Sequence, residues 1–115
     1  MAVPNLSPDA TPAEVGQAES VRLPLQGWAL ELAPSGITVN AVAPGPIGGT
    51  DMFRGIIPAG DPREQSLAAA IPVKRLGQPD DVARAVMFFA DRANSFITGQ
   101  TLFVCGGSSV GSLVI

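Results

Sequence analysis

The run Ile37-Thr38-Val39-Asn40-Ala41-Val42-Ala43 constrains the fold more than any other stretch of the chain. β-Branched residues dominate it, and apolar groups fall on both of its faces. A strand with one wet face would alternate; this run suits a strand covered on both sides in a parallel sheet. Pro44-Gly45 ends it. A second strand-prone run, Gln100 to Cys105, holds Thr101, Leu102, Phe103 and Val104 in succession and stops at Gly106-Gly107.

The clearest helix pattern lies between these runs. Gln78-Pro79-Asp80-Asp81 opens it, with Pro79 in the first turn and the two aspartates complementing the positive end of the helix dipole. Val82, Val86, Phe89, Ala90 and Ala93 are expected to form its apolar stripe, Asp80 to pair with Arg84, and Arg92 to lie near the negative end. Upstream, Leu25, Trp28, Ala29 and Leu32 recur at helical spacing, with Pro24 before them and Pro34-Ser35-Gly36 as the stop. Residues 46 to 74 read as irregular, with a short helix from Arg63 to Ile71. A connection of that length is often a lid or binding loop. The fold class is therefore α/β, and the strand–helix–strand unit is expected to be parallel with a right-handed crossover. Both strands then end on one edge of the sheet. Ligands of such sheets bind beyond the carboxyl ends of the strands, which directs attention to Pro44 to Thr50.

Composition removes several function classes. The chain is 46% hydrophobic and 15% charged, too apolar for a disordered segment. Its net charge is −3. Its basic residues, Arg22, Arg54, Arg63, Lys74, Arg75, Arg84 and Arg92, are scattered, so no basic stripe exists to grip a nucleic acid. No apolar run approaches the roughly 20 residues of a membrane span. The first residues show no secretory pattern, and a cytoplasmic location is the expectation. One cysteine, Cys105, excludes an internal disulfide and reads as a small apolar residue at a strand end. No metal-ligand cluster is expected.

Three segments together resemble the short-chain dehydrogenase/reductase family. They are Leu30-Glu31-Leu32-Ala33-Pro34-Ser35-Gly36-Ile37-Thr38-Val39-Asn40-Ala41-Val42-Ala43-Pro44-Gly45-Pro46-Ile47, then Arg75-Leu76-Gly77-Gln78-Pro79-Asp80-Asp81-Val82-Ala83, then Ile97-Thr98-Gly99-Gln100-Thr101-Leu102-Phe103-Val104-Cys105-Gly106-Gly107. The resemblance implies a partial Rossmann-type fold, a doubly wound parallel sheet of which residues 25–115 are the C-terminal strand–helix–strand portion. Residues 37 to 43 would be its sixth strand, 79 to 92 its last large helix and 100 to 105 its seventh strand.

By the same resemblance, the turn Pro44-Gly45-Pro46-Ile47 meets the nicotinamide end of NAD or NADP. The backbone of Ile47 would bond the carboxamide, and the Thr50 hydroxyl the carboxamide or pyrophosphate. Gly45 would allow close backbone approach. Taken without its flanks, Pro44-Gly45-Pro46 is an ordinary strand-ending turn. Gly48-Gly49 adds one residue to the family's usual spacing before Thr50. Segment 51 to 74 corresponds to the family's substrate lid, where Met52, Phe53, Ile56 and Ile57 either line an apolar pocket or pack as core. Arg75 and Asp81 fit a helix-start network, and Asn40 a structural hydrogen bond, rather than chemistry.

The family's chemistry uses a tyrosine as acid/base, a lysine four residues later, a serine and often an asparagine. This chain has no tyrosine and no histidine, and its one lysine, Lys74, lies in the lid-like region. No catalytic residue is assigned. The family's glycine-rich phosphate turn is not matched either; Gly107-Ser108-Ser109-Val110-Gly111 gives only half a pattern. Leu25-Gln26-Gly27-Trp28 resembles the helix after the catalytic lysine. That alignment puts Ala18 at the tyrosine position and Arg22 at the lysine position, and an arginine does not simply replace a lysine. Residues 1–24, where Thr11-Pro12-Ala13-Glu14 could start a helix or the chain could trail loosely, read as an atypical segment from altered or mis-joined sequence. The expectation is an NAD(P)-dependent alcohol or ketone oxidoreductase by ancestry, truncated and inactive alone. The alternative is a non-catalytic module that docks on full-length relatives. A two-stranded sheet with a bare edge also predicts a homo-oligomer, association with relatives, or a partly molten chain.

Overall fold

The computed structural model describes residues 24–111. The expected helix start at Thr11-Pro12 and the junction around Ala18 and Arg22 fall outside that range. Helix α1 covers 24–32 and ends in a 3-10 turn, Ala33–Ser35, closed by Gly36 at φ 76°. Strand β1 is Ala41–Pro44. The connection holds α2, Asp51–Ile56, and α3, Arg63–Ala70. Helix α4, Pro79–Ala90, leads through a second 3-10 turn, Arg92–Asn94, to β2, Thr101–Val104.

The two strands pair in parallel, with Ala41 opposite Thr101 and Pro44 opposite Val104. The parallel strand–helix–strand unit expected from the sequence is thus present, and α4 packs on both strands. The ladder is shorter than the apolar run, however. Residues 37–40 carry no ladder because side chains and a loop take over their backbone partners. The Val39 N–H donates to Thr98 Oγ1 at 3.0 Å, and the Gly99 N–H to Val39 O at 2.8 Å. Asn40 spans the same loop: its Nδ2 donates to Ile97 O at 3.1 Å and its Oδ1 accepts from Gln100 N–H at 3.1 Å. The structural role expected of Asn40 is what the structure shows.

Pro44 belongs to the strand instead of ending it. The N–H groups of Ala41 and Gly45 donate to Gln100 O and Val104 O, so odd-numbered residues face β2 and Pro44's missing donor faces away.

Among the described residues the buried apolar ones are Leu25, Ala29, Ala43, Ile71, Leu76 and Ala85. On α4, Ala85 is buried, Val82 and Phe89 are half-buried, and Val86 and Ala90 are exposed. The buried position on α4 is thus Ala85, which the expected stripe did not include. Arg84 meets Asp81 at 3.4 Å, three residues back, rather than Asp80. Arg92 falls in the 3-10 turn, beyond the last turn of α4. Helix α2 has no counterpart in the sequence reading. Met52 and Ile56 on it are exposed, so neither is a core contact among the described residues.

Candidate functional site

The site is the turn that leaves β1. Gly45 sits where the two strand tips close: its N–H donates to Val104 O at 2.8 Å, and a β-carbon there would lie 2.8 Å from both Cα and Cβ of Cys105. The need for glycine is therefore met inside the protein, by the end of β2, before any ligand is considered.

Past Gly45 the chain runs alongside the segment that precedes α4. Ile47 and Gly77 form a parallel bridge. Its bonds are made by Ile47's neighbours: the Gly77 N–H donates to Pro46 O at 3.0 Å, and the Gly48 N–H to Gly77 O at 2.9 Å. Ile47's own N–H and C=O have no backbone partner among the described residues. A parallel bridge of this register leaves those two groups pointing away from Gly77. One residue at the carboxyl edge of the sheet thus offers a donor and an acceptor side by side, the pairing that a primary amide requires.

Thr50 caps α2. Its Oγ1 accepts from the Phe53 N–H at 3.1 Å, which satisfies one of the helix's orphan donors. The hydroxyl hydrogen and a second lone pair remain for a ligand. Before Thr50, Gly48 is buried against Leu76, and Gly49 takes φ +73°, a left-handed turn that suits glycine. Sequence reading placed Pro44, Gly45, Ile47 and Thr50 at one site. They are contiguous along this turn, with Pro44 and Gly45 in sheet packing and Ile47 and Thr50 carrying the open polar groups.

Gly77 itself was missed, since nothing local in a sequence announces a bridge 30 residues distant along the chain. It is held by a polar cluster at the start of α4. Asp81 accepts from the Gln78 N–H at 2.8 Å and from Arg75 at 2.9 and 3.3 Å, and Arg75 also donates to Leu76 O at 3.1 Å. The hydrogen bond from Arg75, then the one from Gln78, holds the Asp81 carboxyl at about 2. A depressed carboxylate contributes stability above its unfolded value, near 3.8, and loses it as pH falls through about 2. Acidification through pH 2 should therefore loosen the hydrogen bond of the Gln78 amide, seen as an amide resonance that shifts with a midpoint of about 2. In Asp81→Asn that step should vanish and the amide should be weakly held at every pH.

A cavity of about 450 Å³ lies on the other side of this segment, against Ile71, Val73, Ala85, Phe88, Leu102 and Cys105. Pro46 and Gly77 back onto it, but Ile47 and Thr50 do not line it. Cys105 is half-buried rather than fully buried. Burial pushes its thiol up, yet the hydrogen bond it shares with the Ser109 hydroxyl and those from the Ser109, Gly107 and Ser108 amides outweigh that and leave it lowered. Lys74, the lone lysine, donates to Ala69 O at 2.9 Å and so caps α3. Among the described residues no cluster of metal-ligating side chains occurs, and no helix is long and apolar enough to cross a membrane.

This arrangement has close counterparts. A family model described as enoyl-(acyl carrier protein) reductase matches residues 19–109. The BbsC subunit of (2S)-[(R)-hydroxy(phenyl)methyl]succinyl-CoA dehydrogenase from Thauera aromatica is 49% identical over 81 residues, covering 70% of this chain and 30% of BbsC. The structure of ElxO with NADP bound superposes with TM-score 0.70 at 35% identity, over 86% of this chain and 41% of ElxO. A short chain dehydrogenase family protein from Francisella tularensis subsp. tularensis gives TM-score 0.74 at 26% identity, over 89% of this chain and 46% of its own. The chain spans about a third of the first and under half of the other two. Sequence and fold agree over the same residues that build the turn, the α4 start and β2, and on that agreement the chain belongs to the short-chain dehydrogenase/reductase family.

Proposed function

We propose that residues 24–111 supply the nicotinamide side of an NAD(P)-binding oxidoreductase fold for the interconversion of an alcohol and a ketone. One observation carries the reading: Ile47 presents its N–H and C=O together at the carboxyl edge of the sheet, with the Thr50 hydroxyl three residues on. That set fits a carboxamide, which needs one acceptor and one donor, and the fit holds for NAD and NADP alike. ElxO, solved with NADP bound, supports it by likeness.

Hydride transfer to a carbonyl also needs a proton at the oxygen. In this chain no tyrosine or histidine is encoded to give it near neutral pH, and Lys74 is spent on α3. We therefore place binding, not chemistry, in this chain when it is alone.

The test is NADH fluorescence. Titrating the 115-residue chain into NADH should enhance and blue-shift the emission, and a saturating response with no turnover of simple ketones is the expected result. Turnover by a preparation free of other dehydrogenases would overturn the assignment of chemistry elsewhere; a flat titration would overturn the binding role.

A second reading rests on a different observation. Among the described residues β1 is paired on one side only, so the Val42 N–H and C=O face away from β2, and Trp28, Met87, Phe88 and Phe96 are exposed. An open parallel edge beside apolar surface suits association with a second copy or with full-length relatives. Co-purification with an intact homologue, together with a flat NADH titration, would favour this reading over the first.

A further inference from the structure

Gly77 shows no backbone need for glycine: its φ is not among the positive ones. What it lacks is room. A β-carbon there would lie 2.5 Å from Ile47 Cδ1, 3.4 Å from Pro46 O and 3.9 Å from Ile47 Cγ1. Ile47 is half-buried, and its side chain crosses the face of Gly77 while the two backbone bonds flank it. The contact and the bonds are one unit: the bare α-carbon lets Ile47 lie flat on the 75–78 segment, and the bonds fix the peptide planes on both sides of Ile47.

We infer that Gly77 is a positioning residue for the cofactor turn, setting the direction in which the Ile47 N–H and C=O point. The inference rests on the cofactor reading of Ile47. It adds that the pose of Ile47 is imposed from the start of α4, through a chain of contacts that runs from Arg75 and Asp81 to Gln78, to Gly77, to Ile47. Gly49 lies near the same segment: a β-carbon there would be 3.4 Å from Gln78 Oε1, an ordinary contact. Two peptide planes anchored to a helix start resist rotation far better than a free loop, and an amide-binding pair must be held within a narrow angle to be useful.

The δ-methyl of Ile47 is the end of a flexible side chain, so Gly77→Ala displaces it first, and Gly77→Val presses on the Pro46 carbonyl as well. Amide exchange on the whole chain reads the linkage directly. In Gly77→Val the Gly48 amide should exchange about tenfold faster or more, while the Gly45 amide, bonded to Val104 O, keeps its protection. Gly77→Ala should show a smaller effect of the same kind. Adding Ile47→Ala to Gly77→Ala should restore Gly48 protection to within about threefold of the parent. Where the parent binds NADH, Gly77→Val should weaken it about tenfold with unchanged melting of the sheet.

Unchanged Gly48 protection in Gly77→Val, equal loss at Gly45, or no rescue by Ile47→Ala would each overturn the inference. A parent chain that leaves NADH fluorescence flat sinks the cofactor reading instead, and the exchange pattern still decides whether Gly77 governs the turn.

Discussion

Gly45→Ala is expected to cost about 2–3 kcal/mol and to open the tips of the two strands. The added β-carbon would sit 2.8 Å from Cys105 Cα and Cβ and 3.4 Å from Cys105 O. Two of those atoms are backbone, so no rotamer change relieves the clash. The strands must move apart, and the bond from Gly45 N–H to Val104 O, 2.8 Å long, stretches with them. Among the described residues the sheet has two strands, and such a pair has little cooperativity to spare. A domain of this length holds about 5–15 kcal/mol in all, so the loss is a large share.

Thermal unfolding followed by far-ultraviolet circular dichroism measures it. Cys105→Gly in the same background should return only part of the loss, because the clash with the backbone of residue 105 survives. Gly27→Ala is the matched control: nothing lies within 4 Å of a β-carbon there. Residue 27 is helical, so alanine should raise stability by about 0.5–1 kcal/mol. Equal melting temperatures for the two variants would show that the strand tips are not closed as described.

The contrast between these glycines marks how far the sequence could be read. Its parallel pair, its helix before β2 and its family were legible because each rests on local pattern: a β-branched run, a Pro-Asp-Asp start, a quoted motif. What lay hidden depends on partners distant in the chain. Residues 37–40 look like strand, yet the Val39 backbone is taken by Thr98 Oγ1 and the Gly99 N–H, and the Asn40 side chain bonds the backbone of Ile97 and Gln100. Pro44 looks like a breaker, and only the side on which β2 pairs reveals that its missing N–H is harmless. Arg84 stands at equal reach of Asp80 and Asp81 on paper; Arg75 and Gln78 fix Asp81, and Arg84 joins it. At the site, Ile47 and Thr50 were read from the resemblance, but the support behind them, Gly77, carries no local signal. Thr50 was read as a ligand contact, and its capping of α2 escaped notice because a six-residue helix leaves almost no periodicity.

Ile71 is where a single truncation should unfold the most structure. It is 3% exposed and ends α3 as the C-cap residue, donating its N–H to Ala68 O. Its Cγ2 lies 2.7 Å from where a β-carbon on Gly106 would be, so this methyl fills the space that a side chain after β2 would otherwise take. The Val73 N–H then donates to Gly106 O at 3.2 Å. Ile71 thus fastens the lid-like connection to the end of β2, with few other buried residues to share the task.

Ile71→Ala is expected to cost about 2–4 kcal/mol, the transfer of the lost methyls plus the void they leave. For a domain near this size that lowers the melting temperature by about 10–20 °C. Ile71→Val separates the two contributions. It keeps the branched methyl over Gly106 and removes only Cδ1, so it should cost about 1 kcal/mol and leave the Val73 amide protected. In Ile71→Ala that amide should lose protection before the Gly45 amide does, since the connection detaches from β2 while the two strands still pair. Simultaneous loss at both amides would mean that connection and sheet unfold as one unit, and Ile71 would then be an ordinary core residue rather than the fastening between them.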